Sequence, residues 1–254
     1  MAAPSPMLLE RLARPSGTPR KQPLSLGLPE LDEALPELGL PRSAVIELAC
    51  HPGLGRATQL ALMACASAQA ETRATSHDGQ ARWCAWLDPT ATLYAPGVAQ
   101  TGVELARLCV VRPPVAELAK VAVRVVASHA FAVVVVDRAG VPGRSVNSPL
   151  TRSANSALTR SANSALTRSA NSALTRSANS ALTRWDVVVR RLALACERSD
   201  TTVLLLSSLA DAQARPLPTA MRLELASPGP ARLALRVARD RNGRVGSPRI
   251  LGVA

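Results

Sequence analysis

The chain has 254 residues and a formal net charge of +12, and 47% of its residues are hydrophobic. That length and composition suit one α/β domain with additions, and the basic balance favours polyanionic partners. The five cysteines are odd in number, dispersed and without C-x-x-C spacing, which argues against a disulfide framework and a zinc site. We expect no metal, no membrane association and a cytoplasmic location, because no stretch resembles a signal peptide or a spanning helix.

The amino-terminal residues 1–23 are rich in proline and basic, and we interpret them as a flexible basic arm. Their one amphipathic piece, Met7–Leu12, is either a docking helix or a frayed terminus. From Leu24 a turn-rich lead-in reaches the first strand, and residues 24–254 are predicted to form one domain. A low-complexity insertion at residues 140–184 interrupts that domain.

The domain shows strands and helices in alternation, which predicts a mostly parallel, twisted sheet flanked by helices. The run at 132–136 is apolar throughout, as in a strand buried on both faces. Two alternating segments around Ser227-Pro-Gly-Pro230 predict a C-terminal antiparallel hairpin. The predicted strands are 44–49, 83–87, 108–111, 132–136, 202–206, 222–225 and 233–238. The predicted helices are 58–64, 114–127 and 185–198.

The insertion is an octapeptide repeat. Residues 144–151 are followed by four identical copies of Arg-Ser-Ala-Asn-Ser-Ala-Leu-Thr that end at Thr183. Eight residues advance a helical face by about 80°, so the leucines form no stripe. The segment is interpreted as disordered or weakly helical, as a nucleic-acid-contacting loop, or as an ordered partner surface. Its candidate contact residues are Arg144, Arg152, Arg160, Arg168, Arg176 and Arg184.

The segment Cys50–Ala57 stands between a strand and a helix, where a phosphate-binding loop would read G-x-x-x-x-G-K-[ST]. Cys50 replaces the first glycine, Arg56 the lysine and Ala57 the hydroxyl residue. Arg56 keeps the charge in a bulkier, planar group, and Thr58 supplies a hydroxyl only if the loop slips by one residue. The segment is either a structural turn or a weak phosphate site built from backbone N–H groups at the helix start. Cys50 near that helix start is expected to have a lowered pKa.

The order of these motifs resembles RecA-type recombinases over roughly residues 24–254, apart from the repeat. Under that resemblance the core is a RecA-like phosphate-loop fold, and Asp137 matches the aspartate that holds the water shell of a magnesium ion. Because its partner residues are replaced, Asp137 is either a metal ligand or, as we expect, a structural or helix-capping residue. The catalytic glutamate would fall at Thr90, and the γ-phosphate sensor at Ser207 or Ser208. The resemblance is carried by residues 27–35 and 39–42, Ile46–Thr58, Cys84–Thr90, Val133–Asp137, Thr202–Ser208 and Val237–Gly243.

Lysine, loop hydroxyl, glutamate and sensor glutamine are replaced together, so the resemblance implies that the chain is not an enzyme. Its degenerate nucleotide site would comprise Gly53, Gly55, Arg56, Thr58 and Asp137, with at most weak ATP binding, no hydrolysis and no cofactor.

A short, degenerate RecA-like chain resembles the ImuA family of accessory proteins in bacterial damage-induced translesion synthesis. The resemblance implies three protein partners: an inactive Y-family polymerase relative, an error-prone replicative polymerase and RecA. Single-stranded DNA is a further implied partner. The alternatives are a SulA-like cell-division inhibitor and a weak DNA-dependent ATPase that uses Arg56 and Thr58.

Overall fold

The computed structural model describes residues 21–53, 55–75, 82–139, 141, 185–229 and 232–252. Its strands are β1 Val45–Cys50, β2 Trp83–Leu87, β3 Leu108–Val111, β4 Phe131–Asp137, β5 Thr202–Ser208, β6 Met221–Gly229, β7 Arg232–Asp240 and β8 Arg249–Gly252. Its helices are α1 Pro29–Glu33, α2 Arg56–Thr75, α3 Ala95–Ala99, α4 Leu118–Ala127, α5 Trp185–Glu197 and α6 Leu209–Ala214. Single 3₁₀ turns at Leu105–Arg107 and Val115–Glu117 precede β3 and α4.

The described strands form one sheet in the order β3-β2-β4-β5-β1-β6-β7-β8. Strands β1 to β6 run parallel, whereas β7 is antiparallel to both β6 and β8. The predicted class, an α/β sheet that is mostly parallel and ends in an antiparallel hairpin, is confirmed. The hairpin strands are longer than predicted, and β8 was not predicted because its four residues are largely exposed and give no apolar pattern.

Two apolar clusters lie on opposite faces of the sheet. Helix α2 covers one face, where Ile46 and Leu48 of β1 pack with Leu60. Helices α4 and α5 cover the other face, where Val45 packs with residues such as Val189. We call these the α2 face and the α5 face. Every residue of β1 is buried, because both faces of the strand are covered. Apart from Glu47, the strand is accordingly apolar on both faces.

Paired backbone bonds close the lead-in on itself, and its buried leucines belong to the apolar cluster on the α2 face. Leu24 and Leu40 exchange two N–H···O bonds of 2.8 Å. A Cβ on Gly39 would lie 2.8 Å from the Leu24 carbonyl oxygen, so only glycine allows this approach. Asp32 accepts hydrogen bonds from the Ser25 hydroxyl (2.6 Å) and the Leu26 N–H (2.8 Å), which closes the turn before α1.

Candidate functional site

The loop after β1 contains two glycines and leads directly into α2. Gly53 and Gly55 have φ of 83° and 62°, a left-handed conformation that glycine adopts without strain. The N–H of Gln59 donates to the Gly55 carbonyl at 2.9 Å, which starts α2 directly after the loop. Backbone N–H groups at such a helix start can bind a phosphate. Both predicted glycines therefore adopt a backbone conformation that favours glycine.

The side chains of the loop do not supply what phosphate transfer needs. Arg56 Nη1 donates to Gln59 Oε1 at 2.9 Å, so part of the guanidinium is bound along its own helix. Ala57 is buried and carries no hydroxyl for a metal ion. Thr58, the next residue, is half-buried on the first turn of α2. Positive charge remains at the loop, but the compact ammonium of a lysine does not.

Cys50 places a thiol side chain at the loop position where the phosphate-loop pattern has a glycine. Burial raises the pKa of the Cys50 thiol, a hydrogen bond from the Ala57 N–H lowers it, and the Asp137 carboxylate raises it. The expected lowered pKa is therefore wrong, because desolvation of the thiolate outweighs the helix start. The same bond engages the Ala57 N–H, a donor at the helix start that a bound phosphate would otherwise use.

Asp137 is the last residue of β4 and lies at the carboxyl-terminal end of the sheet, as does the loop after β1. Its register partner on β5 is Leu206, and Cys50 pairs with Ser208, so Asp137 and Cys50 lie two strands apart at the carboxyl ends. Asp137 is buried, and its Oδ1 accepts the N–H of Ala139 at 2.9 Å. The structure thus brings Asp137, Gly53, Gly55, Arg56 and Thr58 to one edge.

Thr90, Ser207 and Ser208, at the positions that the resemblance implies for the catalytic glutamate and the γ-phosphate sensor, all make contacts with nearby side chains or backbone. The Thr90 hydroxyl lies 3.3 Å from that of Thr92. The Ser207 hydroxyl donates to Glu47 Oε1 at 2.8 Å on the α5 face, away from the loop. The Ser208 hydroxyl accepts the Asp211 N–H at 3.1 Å as the N-cap of α6. These bonds leave no general base at position 90 and place both serines in structural contacts.

A buried charged group that sequence reasoning missed lies behind the loop. Glu47 is 1% exposed, and its Oε2 has no hydrogen-bond partner among the described residues. Burial raises the pKa of Glu47, and Ser207 together with Arg138, Arg222 and Arg239 lowers it. A lone acidic residue inside an otherwise apolar strand was the available signal.

A groove at the β3 edge was also missed. Strand β3 has a neighbour on one side only. Beside it lies a cavity of about 370 Å³ whose lining residues are Leu93, Ala95, Val98, Leu105, Leu108, Val110 and Arg112. Tyr94 is 71% exposed at the same edge. The sequence carries no clear signal for this groove, because neither the exposure of Tyr94 nor the edge position of β3 can be read from the residues.

The candidate contact arginines of the repeat, Arg144, Arg152, Arg160, Arg168, Arg176 and Arg184, lie outside the described residues, as does Met7–Leu12. Within the described ranges, no group of three or more His, Cys, Asp or Glu side chains is placed to hold a metal ion. None of the helices that the structure describes combines the length and apolarity needed to cross a membrane.

Comparison with known proteins adds no relative. No protein-family model matches the chain, and no curated protein matches it.

Proposed function

We propose that the chain has a RecA-like core and works as a non-hydrolysing accessory protein in the response to DNA damage. It would bind subunits of a translesion polymerase, RecA and single-stranded DNA. Two features support this proposal: the departures of Cys50–Ala57 from a phosphate loop, and an exposed apolar groove beside the edge strand β3. The observation that carries it is the groove at the β3 edge.

An edge strand presents unpaired backbone N–H and C=O groups, and natural proteins usually protect such an edge. Here β3 is short, but apolar side chains border it. Leu105 is 46% exposed and Val110 is 41% exposed, and both line the groove. An extended segment of a partner can add a strand to β3 and place an apolar side chain in the groove. We assign this role to a segment of the inactive polymerase relative or of RecA.

The test is affinity purification after DNA damage, with bound proteins identified by mass spectrometry. Wild-type protein should retain the polymerase relative or RecA, and the double variant Leu105→Lys/Val110→Lys should lose it. A lysine at each position places a charge in the groove without entering the core. Leu194→Lys is the matched control, because Leu194 is 59% exposed on α5, a helix that packs against α4, β1 and β5.

Two results would overturn the proposal. One is an unchanged set of partners in the double variant, which would remove the β3 edge from binding. The other is specific retention of the tubulin-like division protein in place of polymerase subunits and RecA, which would favour a cell-division inhibitor.

A further inference from the structure

Outside the octapeptide repeat, the positive charge of the chain lies in β7, β8 and the turn between them. These residues, 232–252, hold six arginines and one acidic residue, Asp240. Apart from the repeat, the other parts of the chain carry basic and acidic residues in nearly equal numbers. The six arginines are all exposed and are Arg232, Arg236, Arg239, Arg241, Arg244 and Arg249. Such an excess of one charge on a folded element is typical of a surface that binds a polyanion.

Two of these arginines share one face of β7. The apolar residues of the strand belong to the cluster on the α2 face and are Leu233, Leu235 and Val237. Successive side chains of a strand point to opposite faces of the sheet. Arg232 and Arg236 therefore lie on the α5 face.

Arg239 lies on the same face because the pairing of β7 with β6 contains a bulge. The register shifts by one residue between Val237 and Arg239, so Arg239 lies opposite Arg222. Arg222 is on the α5 face, since its neighbours Met221 and Leu223 belong to the α2-face cluster. We call Arg232, Arg236 and Arg239 the arginine row. At about 3.4 Å per residue the row is roughly 20 Å long.

The arginine row lies on a part of the α5 face that the described helices leave open. Helix α4 packs mainly on β2 and β4, and helices α5 and α6 pack mainly on β1 and β5. The segment after α6 reaches one end of the row, where Arg239 Nη1 donates to the Leu217 carbonyl at 3.0 Å. Arg232 and Arg236 lie beyond that contact and are exposed. Of the described residues, none bonds or pairs with the Arg232 guanidinium, so this end of the row is open to a ligand.

One carboxylate faces the row from β6. The Glu224 oxygens lie 3.6 Å from Arg236 Nη1 and 3.8 Å from Arg222 Nε. Asp240 lies opposite Met221 and so belongs to the α2 face, where it accepts the N–H of Arg244 at 3.4 Å. On the α5 face, the arginines of β6 and β7 that the structure describes therefore share one acidic residue. Their positive charge exceeds what this carboxylate balances.

The composition of this face favours the phosphate backbone of a duplex nucleic acid as its ligand. A row of planar guanidinium groups fits a ligand whose charges repeat at short intervals, and a duplex has one charge per about 1.7 Å. Unpaired bases stack on aromatic side chains, and residues 221–252 contain none. Binding to a membrane surface uses a wide apolar face. Among the described residues of β6 to β8, Ile250 is the one large apolar side chain that is exposed.

We propose that the arginine row binds the phosphate backbone of double-stranded nucleic acid without reading its base sequence. Side chains read sequence when their element enters a groove, whereas an open sheet face meets the backbone from outside. The row is separate from the repeat and from the β3 groove, which lies at the opposite end of the sheet. The inference goes beyond the proposed function and does not depend on its protein partners.

Binding of the full-length protein to a fluorescent duplex across a salt series tests the site. Arg232→Gln/Arg236→Gln removes two charges of the row, and no described contact joins either side chain to the backbone of another element. We expect weaker binding. The slope of log affinity against log salt should fall by up to about 2, since each duplex phosphate contact contributes about 0.9. A second duplex of equal length and shuffled sequence should bind with the same affinity.

The matched control is Arg190→Gln/Arg191→Gln, which removes the same charge from two exposed arginines of α5 and should leave the slope unchanged. An unchanged slope in the row variant would overturn the site. An equal fall in both double variants would also overturn it, because net charge alone would then explain the loss. A strong preference for one of the two duplexes would contradict binding without base readout.

Two further ligands separate the duplex from other polyanions. Vesicles that contain phosphatidylserine and soluble polyglutamate are measured with the same variants. If the row variant loses affinity for either ligand while its duplex binding is unchanged, the row serves a membrane surface or an acidic protein and the proposal is wrong. Leu105→Lys/Val110→Lys should bind the duplex as wild type does, so failure of this site is distinguishable from failure of the proposed function.

Discussion

Asp88 directly follows β2 and stands two residues before Thr90, the position at which the resemblance implies a catalytic base. Leu87 of β2 is level with Val136 of β4, so Asp88 is level with Asp137 at the carboxyl edge. Asp88 is fully buried, and its oxygens accept the N–H groups of Thr92 and Leu93, each at 3.0 Å. A carboxylate engaged in this way holds its own turn and is poorly placed to activate water.

This arrangement predicts that repairing the loop will not restore hydrolysis. In the variant Arg56→Lys/Ala57→Thr the two missing loop groups return, but position 90 still offers only a threonine. A general base contributes about 10²–10⁴-fold to a rate, so phosphate release with single-stranded DNA should stay at the level of a protein-free blank. A RecA-type recombinase serves as the positive control for the assay.

The opposite result has a specific form. Measurable turnover in the wild-type protein that Asp137→Ala abolishes would support a residual ATPase that uses Arg56 and Thr58, and would contradict a non-hydrolysing core.

At the scale of the element, β1 combines an apolar strand with one ionisable group. Burial raises the pKa of Glu47 above its ordinary 4.5, against the lowering by Ser207 and three arginines. A carboxyl whose pKa is raised on folding binds its proton more tightly in the folded than in the unfolded chain. Its contribution to stability is therefore largest at low pH and falls as pH rises from about 4.5 through the raised folded value.

The direction in which the contribution of Glu47 to stability changes with pH can be measured. We expect the difference in free energy of unfolding between wild type and Glu47→Gln to change across that pH window and to be constant above it. Urea unfolding at a series of pH values measures the difference. Glu117→Gln, on an exposed carboxyl paired with Lys120 at 3.0 Å, is the control and should show no comparable change. A pH-independent difference for Glu47→Gln would contradict the raised pKa.

The accuracy of the predicted bounds differed from one element to the next. Strand β2 was predicted at its observed bounds, Trp83–Leu87, because a short apolar run after polar residues marks a buried strand. Strand β5 continues to Ser208, two residues beyond its predicted end, because its pairing with β1 extends that far. The prediction stopped early because the last two residues are polar serines and break the apolar run. Helices α1, α3 and α6 have five or six residues, too few to establish a helical period.

At the scale of the whole molecule, positive charge is concentrated in the repeat, whose structure lies outside the described residues. If its arginines contact DNA, deletion of Arg152–Thr183 removes four of them. Each contact with a single-stranded phosphate contributes about 0.7 to the slope of log affinity against log salt. The deletion should therefore weaken binding to single-stranded DNA and reduce that slope by up to about 3.

Binding to a fluorescent single strand across a salt series measures both quantities. A full-length variant with glutamine at the same four arginine positions keeps the length of the chain and separates the loss of charge from the loss of chain. Unchanged affinity and slope after deletion of Arg152–Thr183 would remove the repeat from DNA binding.

The sequence by itself determined the alternation of strands and helices and the absence of a lysine at position 56 and of a hydroxyl residue at position 57. Both are local properties, since periodicity is read within one element and a missing lysine or hydroxyl residue is a matter of residue identity. The positions of Gly53, Gly55 and Asp137 at one edge also followed, because carboxyl ends of parallel strands meet there.

Only the tertiary structure decided three further features. It turned Ser207 toward Glu47, placed Arg138, Arg222 and Arg239 where their charges lower the pKa of that carboxyl, and left β3 at the edge of the described sheet. Each depends on strand order and register, which are set by crossovers between residues far apart in the chain. A strand's own residues fix which side chains share a face but not which strand will lie beside it.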